Sequence, residues 1–291
     1  TKLMDECKAM GIQTLGPDVN ESNLKFTVNH DGNIRFGLGA VKGVGEAAVQ
    51  SIMEERKKNG PFLGIFDFVQ RVNLNACNKK NMECLALAGG FDSFPELKRE
   101  QYFAANSKGE LFLETLMRYG NRYQADKAAA VNSLFGGENV IDVATPEIPQ
   151  GVERWSDLDR LNRERDLVGI YLSAHPLDEF SIVLEHVCNT RMSELEDKAA
   201  LAGREITMGG IVTSVRRGVS KNGNPYGIAK IEDYSGSTEI PFWGNDWVTY
   251  QGYLNEGTFL YIKARCQVKQ WRQDELEIKI TSMELLPDVK E

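Results

Sequence analysis

The stretch Ala40-Val41-Lys42-Gly43-Val44-Gly45-Glu46-Ala47-Ala48-Val49 sets two glycines and a lysine between two apolar runs of helical spacing. Glycine permits positive φ and close backbone approach. A helix starting at Glu46 points its unbonded N–H groups back at the turn, and turn and helix end together make an anion site of phosphate size. That chemistry is binding rather than bond-making. The backbone of a nucleic acid is gripped and its sequence is not read. The order helix, turn, helix is the helix-hairpin-helix pattern, with Lys42, Gly43, Val44 and Gly45 as its candidate contacts. An ordinary tight turn between packed helices would use the same glycines. A second pair lies in Leu87-Ala88-Gly89-Gly90-Phe91-Asp92, ahead of the helix containing Gln101-Tyr102-Phe103. It is expected to form a second hairpin that buttresses the first, since it brings no lysine into its turn. Lys79 and Lys80, on the helix before it, are further candidate phosphate contacts or simply a solvated face.

A different chemistry, base stacking, is offered near the other end. Arg216, Arg217 and Lys221 flank the turn Lys221-Asn222-Gly223-Asn224, and Gln270-Trp271-Arg272-Gln273 sits at a later loop tip. A tryptophan beside an arginine in such a loop is suited to an unpaired base. Tyr226 and Phe242 are candidate stacking rings on the strands between, although each could equally belong to the core.

The elements that must position these residues follow from periodicity and breakers. Residues 1–11 read as the end of a helix. Leu24–Val28 and Asn33–Phe36 read as strands around Asn29-His30-Asp31-Gly32, a hairpin signal. Residues 37–105, 110–131 and 155–198 are helical, and 136–153 are a linker or extended surface segment. From residue 204 the pattern becomes alternating and β-branched. Strands are expected at Glu205–Arg217, Tyr226–Glu232, Thr238–Trp243, Thr258–Lys269 and Leu276–Leu285, with a short helix at Asp246–Leu254. A three-strand meander, a helix and a hairpin is the order of the OB-fold, which binds single strands through loops 1–2 and 4–5 and the face of strands 2–3.

At 291 residues and 26% charged the chain fits about two globular domains. No apolar run approaches the roughly 20 residues that span a bilayer. The net charge of −8 argues against a uniformly basic nucleic-acid binder, but its distribution is uneven. Residues 204–286 carry ten basic and ten acidic side chains, and residues 34–105 carry ten basic and eight acidic. Local DNA contacts on an acidic chain are compatible with this. Cys7, Cys77, Cys84, Cys188 and Cys266 form no C-x-x-C pair, so neither a disulfide framework nor a zinc site is expected, and a reducing cytoplasm fits best. His175, followed by Pro176, has no Ser, Cys or second His placed to work with it and reads as a turn residue. No catalytic residue and no metal ligand is assigned.

Five stretches in this order resemble one family. They are Gly16-Pro17-Asp18-Val19-Asn20-Glu21-Ser22, Ile34 to Gly45, Ala88-Gly89-Gly90-Phe91-Asp92-Ser93, Gly169-Ile170-Tyr171-Leu172-Ser173-Ala174-His175-Pro176-Leu177-Asp178, and Asp233-Tyr234-Ser235-Gly236. The chain resembles the C-terminal half of bacterial replicative DNA polymerase III alpha subunits. The resemblance implies an α+β multidomain chain. Residues 1–33 would be the end of the fingers and the start of a β-hairpin. Residues 34–135 would be a tandem helix-hairpin-helix domain that binds duplex DNA, with a clamp-binding motif at its end. Residues 136–203 would be a linker and helical connector, and 204–291 the OB-fold near single-stranded template. The clamp motif falls on Ser133, Leu134 and Phe135, with Val131 where the family usually opens with Gln. Two large apolar residues on a polar linker suit an exposed anchor.

The partners implied are duplex and single-stranded DNA, the sliding clamp and other replisome subunits, with a cytoplasmic location and no membrane. The family's catalytic carboxylates, which hold metal ions, would lie upstream of Thr1. This stretch alone is therefore expected to make no DNA and to carry no cofactor, while magnesium is expected for the parent DNA-directed DNA polymerase, a nucleotidyltransferase. Two rivals stay open. One is the same region of an error-prone paralogue. The other is a protein-interaction scaffold whose OB-fold contacts other replisome subunits, which the overall acidity favours.

Overall fold

The computed structural model describes residues 6–7, 9–132, 143–269 and 272–289, and the side chains at 131–132 and 272–274 are not among those described. The chain divides into two compact units between Ala174 and His175. No helix among the described residues is long and apolar enough to cross a membrane.

The N-terminal unit opens with a small three-stranded sheet. Strand β1 (Thr14–Leu15) runs parallel to β3 (Ile34–Arg35), which pairs antiparallel with β2 (Thr27–Val28). The β2–β3 connection is the hairpin that the Asp-Gly step signalled: Gly32 has φ 81, and its N–H donates to Asn29 O. The first of the resembling stretches packs here. Val19 is buried, Ser22 Oγ donates to Phe36 O at 2.7 Å, and Asn20 exchanges two hydrogen bonds with the Phe62 backbone.

Helices follow: α1 (Glu46–Asn59), α2 (Ile65–Arg71), α3 (Lys79–Ala88), the single turn α4 (Arg99–Tyr102), α5 (Phe112–Asn132) and α6 (Asp157–Val168). Val44, Ala48, Val49 and Ile52 recur at helical spacing and face a core shared with Phe68, Leu85, Phe91, Leu113 and Leu116. Arg56, in the last turn of α1, donates to Val19 O, Ser22 O and Asn23 Oδ1 and ties the helix to the opening segment.

Between α2 and α3 runs the turn 72–78, built on asparagines. Asn73 Oδ1 accepts the N–H groups of Asn75 and Ala76, and Asn78 caps α3 by accepting from Asn81 N–H. Gly89-Gly90 ends α3, and α4, which holds Gln101 and Tyr102, follows it in the order the sequence suggests. Gly89 lies at φ 86 and Gly90 N–H returns to Leu85 O at 2.7 Å, a left-handed helix stop. That stop borders a buried ion cluster. Arg99 bonds Asp92, Leu87 O and Glu164 Oε2, and Glu164, 1% exposed, also accepts from Leu172 N–H, Ser173 N–H and Ser173 Oγ. Residues 143–151 have no regular structure, yet Val143 and Ile148 pack on the core and Gln101 Nε2 donates to Pro149 O.

The C-terminal unit starts with the turn at His175, whose N–H donates to Asp178 Oδ2 and whose Nδ1 accepts from Leu177 N–H. The His175 ring lies 4.5 Å from that of Tyr234, and Tyr234 donates to Asp178 Oδ1. Two of the resembling stretches thus interlock. After helix α7 (Ser181–His186) come β4 (Glu205–Val219), β5 (Pro225–Asp233), β6 (Gly236–Trp243), helix α8 (Asn245–Tyr250), β7 (Phe259–Lys269) and β8 (Arg272–Leu285). They form one antiparallel sheet in the order β6-β5-β4-β7-β8, the meander, helix and hairpin of an OB-fold.

Strand β4 serves both halves. It pairs with β7 over Glu205–Ile211 and with β5 over Ile211–Val219, with an irregularity between Val212 and Ser214. At the bend a side chain on Gly210 would meet Ile231 Cγ2 at 2.7 Å. The core holds Ile206, Met208, Val212, Ala229, Ile231, Ile240, Phe242, Leu260 and Ile262, with Trp247 of α8 packed under Gly227.

Candidate nucleic-acid interfaces

In the N-terminal unit the candidate surface is the turn into α1. Lys42, Gly43 and Gly45 are exposed, while Val41 and Val44 are buried and anchor the turn from below. Gly43 has φ 82, and a side chain there would strike Cys84 Sγ at 2.6 Å, so both its conformation and its neighbour require glycine. Burial pushes the Cys84 thiol up from its ordinary value, with nearby Lys80 pulling the other way.

Gly45 is the N-cap of α1, at φ −75, and has no side chain to satisfy the helix end. Its own N–H donates to Asn81 Oδ1 at 2.9 Å. The amides left at the helix start are those of Glu46 and Ala47, which have no carbonyl one turn back. Asn81, buried and also donating to Asn78 Oδ1, therefore couples this turn to the asparagine turn before α3. Sequence reasoning missed it.

The lysines divide. Lys80 runs over the turn, its Cε 3.7 Å from where a Gly43 side chain would begin, and it has no ion pair among the described residues. Lys79 points to carboxylates, Glu114 at 2.5 Å and Glu83 at 3.7 Å, and the bond to Glu114 raises its pKa. Glu46 in the first turn of α1 places a negative charge at the same helix end, opposing an anion there. The surface thus brings together Lys42, Gly43, Gly45 and Lys80, with Val44 beneath and Lys79 committed elsewhere.

In the barrel the candidate surface is the outer face of β4, β5 and β6. Side chains alternate across a strand. Gly227, Ala229 and Ile231 of β5 and Ile240 and Phe242 of β6 point inward, so Tyr226, Ile228, Lys230, Glu239, Pro241 and Trp243 share the outer face. Phe242, expected as a stacking ring, is 1% exposed in the core and offers no face to a ligand. Its neighbour Trp243, not expected, is 54% exposed and stacks on Tyr226 with ring centroids 4.6 Å apart and planes 30° apart.

Arg216 lies on this face, paired with Glu239 Oε2 at 2.6 Å. Arg217 turns to the barrel end instead. It donates to Leu254 O and Asn255 Oδ1 and lies 5.9 Å from the Trp247 ring. Lys221 is exposed in the β4–β5 turn. Trp271 lies outside the described residues, as do Ser133, Leu134 and Phe135. Arg272 begins β8, but its side chain is not described. Among the described residues no group of His, Cys, Asp and Glu is placed to hold a metal ion.

Known proteins resemble both units. Residues 11–102 match the family model described as helix-hairpin-helix motif, and residues 206–286 the one described as OB-fold nucleic acid binding domain. The DNA polymerase III subunit alpha of Pasteurella multocida is 32% identical over 263 residues, 90% of this chain and 22% of its own length. Those of Mycobacterium tuberculosis strain H37Rv and Vibrio cholerae are each 32% identical, over 92% and 90% of this chain and 22% of their own lengths. The chain thus spans about a fifth of the length of these relatives. Among solved structures, a mitochondrial single-stranded DNA binding protein of S. cerevisiae, Rim1, is 17% identical over 29% of this chain and 96% of its own, with a TM-score of 0.23, too low to bear on function. With its helix-hairpin-helix region followed by an OB-fold, the chain is homologous over 90% of its length to the C-terminal part of the DNA polymerase III alpha subunit.

Proposed function

We propose that this chain is the DNA-holding and clamp-docking part of a replicative polymerase. The hairpin turn grips the backbone of duplex DNA, the barrel guides single-stranded template, and Ser133, Leu134 and Phe135 dock the sliding clamp. Nucleotidyl transfer, with its magnesium ions, belongs to the parent polymerase. The observation that carries the reading is the exposed turn Lys42–Gly45, set on a buried base, with the start of α1 and Lys80 beside it. Backbone amides and two lysine cations bind phosphate without reading sequence, as a polymerase that copies any template requires. The clamp assignment rests on the Leu-Phe pair and on the family resemblance of that stretch.

Fluorescence anisotropy of the whole chain with a primed template, a blunt duplex and a single strand, across a salt series, tests it. Tightest binding to the primed template is expected, with the logarithm of affinity falling by about 0.9 per duplex phosphate contact per decade of salt. No binding to any of the three at low salt would overturn the DNA reading. For the clamp, Phe135→Ala is expected to abolish clamp binding and leave DNA affinity unchanged.

A second reading has an observation in its favour. Net charge is −8, and Lys79 and Arg216 are already paired with carboxylates. A scaffold whose barrel contacts other replisome subunits would show flat salt dependence and the same DNA affinity in all charge variants.

A further inference from the structure

The hairpin turn spends three of its own amides inside the protein. Lys42 N–H donates to Leu167 O at 2.9 Å, in the last turn of α6. Val44 N–H returns to Val41 O at 3.1 Å. Gly45 N–H donates to Asn81 Oδ1 at 2.9 Å. That leaves Gly43, Glu46 and Ala47, all exposed, whose N–H groups have no protein acceptor among the described residues. The peptide planes before Lys42 and before Gly45 are thus held from two different helices, and the Gly43 amide lies between them.

The hold on Gly45 is a firm one. Asn81 is 6% exposed, and both polar atoms of its side chain are engaged, Oδ1 with Gly45 and Nδ2 with Asn78 Oδ1 at 2.8 Å. Its orientation is dictated, because a backbone N–H needs an oxygen, so Oδ1 faces Gly45 and Nδ2 is left for Asn78. Asn78 Oδ1 also accepts Asn81 N–H as the cap of α3. Were a phosphate to draw Gly45 N–H outward, Oδ1 would be left buried and unpaired, and a buried polar group without a partner costs more than an ordinary hydrogen bond returns. The Gly45 amide is a fixed point of the turn and not a donor to a ligand.

We infer that Asn81 is a positioning residue of the duplex site, pinning Gly45 so that phosphate is taken by the amides of Gly43, Glu46 and Ala47 beside Lys42 and Lys80. This rests on the reading of the turn as the duplex contact and assigns its donors. Gly45 serves that site by lacking a side chain, and its N–H serves the fold.

The first measurement needs no variant. The whole chain is labelled with nitrogen-15 glycine, and amide hydrogen exchange is followed with and without a blunt DNA duplex. In the free chain Gly45 is expected to exchange slowly, like Gly90, whose N–H bonds Leu85 O at 2.7 Å, while Gly43 exchanges fast. Duplex is expected to slow Gly43 and to leave Gly45 as it was. Fast exchange at Gly45 in the free chain, or protection gained on binding at Gly45 and not at Gly43, would overturn the inference.

Asn81→Leu keeps the side-chain volume and removes the acceptor. Gly45 should lose its protection while Gly90 keeps its own, and duplex affinity by anisotropy should fall about 2–12-fold, the worth of one hydrogen bond. The salt slope should stay that of the wild type, since no cation is removed, whereas Lys80→Ala should lower it by about 0.9. Wild-type affinity in Asn81→Leu would leave the turn as the duplex site and strike out the role of Asn81. If the wild type binds no duplex at low salt, the duplex reading falls and the inference with it. If Gly90 loses protection in the variant as well, the whole unit has loosened, and the wild-type exchange pattern decides.

Discussion

The hairpin surface is made of backbone, and the barrel surface is made of side chains. In the first, Gly43 and Gly45 remove bulk, Val41 and Val44 pin the turn, and the polar groups it presents include amides that every residue carries. In the second, the backbone is consumed by the sheet and what faces outward is the side chains of Tyr226, Trp243, Arg216 and Lys230 on one face. A backbone site is fixed by whatever fixes the turn, so it should be sensitive to mutations beneath it. A side-chain site should fail one residue at a time while the barrel stands.

The sharpest test of that difference is Arg99→Ala. It strands the Glu164 carboxylate, which is 1% exposed, next to Asp92. Breaking a buried pair by removing one partner costs about 3–5 kcal/mol. Calorimetry or urea unfolding should show the transition of the N-terminal unit displaced by that amount and the barrel's unmoved. A loss below about 1 kcal/mol would mean that the cluster opens to water on its own.

The next largest effects separate two glycines two residues apart. Gly43→Ala forces a side chain into the left-handed region and onto Cys84 Sγ, and should destabilise the unit by about 1–2 kcal/mol from the backbone alone. Gly45→Val is different. Its φ of −75 suits any residue, and its nearest neighbour would be Asn81 Oδ1 at 3.9 Å. It should cost no more than about 1 kcal/mol, glycine being preferred to valine at an N-cap, and still bind duplex DNA more weakly, because the added bulk stands where the phosphate would approach. If Gly45→Val instead binds duplex normally, the turn is only a connection between helices.

These cases show why some of the molecule is legible in its sequence. The Gly43–Gly45 turn declares itself because glycine is the signal. The turn at 72–78 does not, because Asn73 and Asn78 supply the turn and cap with side-chain oxygens. In the barrel the alternation of Ile240 and Phe242 with Pro241 and Trp243 marks the strand. Which half of the alternation faces inward needs the register, which turns Phe242 into the core and Trp243 outward. The fate of Lys79 rests on Glu114, 35 residues away, and no local pattern carries that.

On the barrel side the comparison sharpens with Glu239→Gln. It frees Arg216 from a pair whose partners are both well exposed, so stability should change by no more than about 1 kcal/mol. Single-strand affinity should rise, and Arg216→Ala should cancel the rise and lower the salt slope by about 0.7. Equal affinity in Glu239→Gln and wild type would remove Arg216 from the phosphate path.

The smallest effect expected is in acid, and it again falls on the N-terminal unit. Burial pushes the Glu55 carboxyl up. Hydrogen bonds from Asn59 and Arg71, with the charges of Arg71 and Lys58, outweigh it and hold the group below its ordinary 4.5. A carboxyl whose pKa is depressed by folding stabilises the native state above its unfolded value and loses that contribution as pH falls through the folded one. The contribution is therefore complete above about pH 4.5 and is lost below it. Arg71 bonds Glu55 at 3.0 Å and Asp67 at 2.7 Å with its guanidinium over the Phe62 ring, so Arg71→Met keeps apolar contact and removes the charge. Urea unfolding of the N-terminal unit at pH 6 and pH 3.5 should show a pH-dependent loss in the wild type that exceeds the variant's by less than about 1 kcal/mol. Two of the barrel's pairs, Arg216–Glu239 and Arg265–Glu205, have both partners more than half exposed, and in Lys269–Glu275 and Lys279–Asp246 both are at least a third exposed, so its transition should show no matching difference. A larger acid shift in the barrel than in the N-terminal unit would reverse the contrast between a site held from beneath and one carried on the surface.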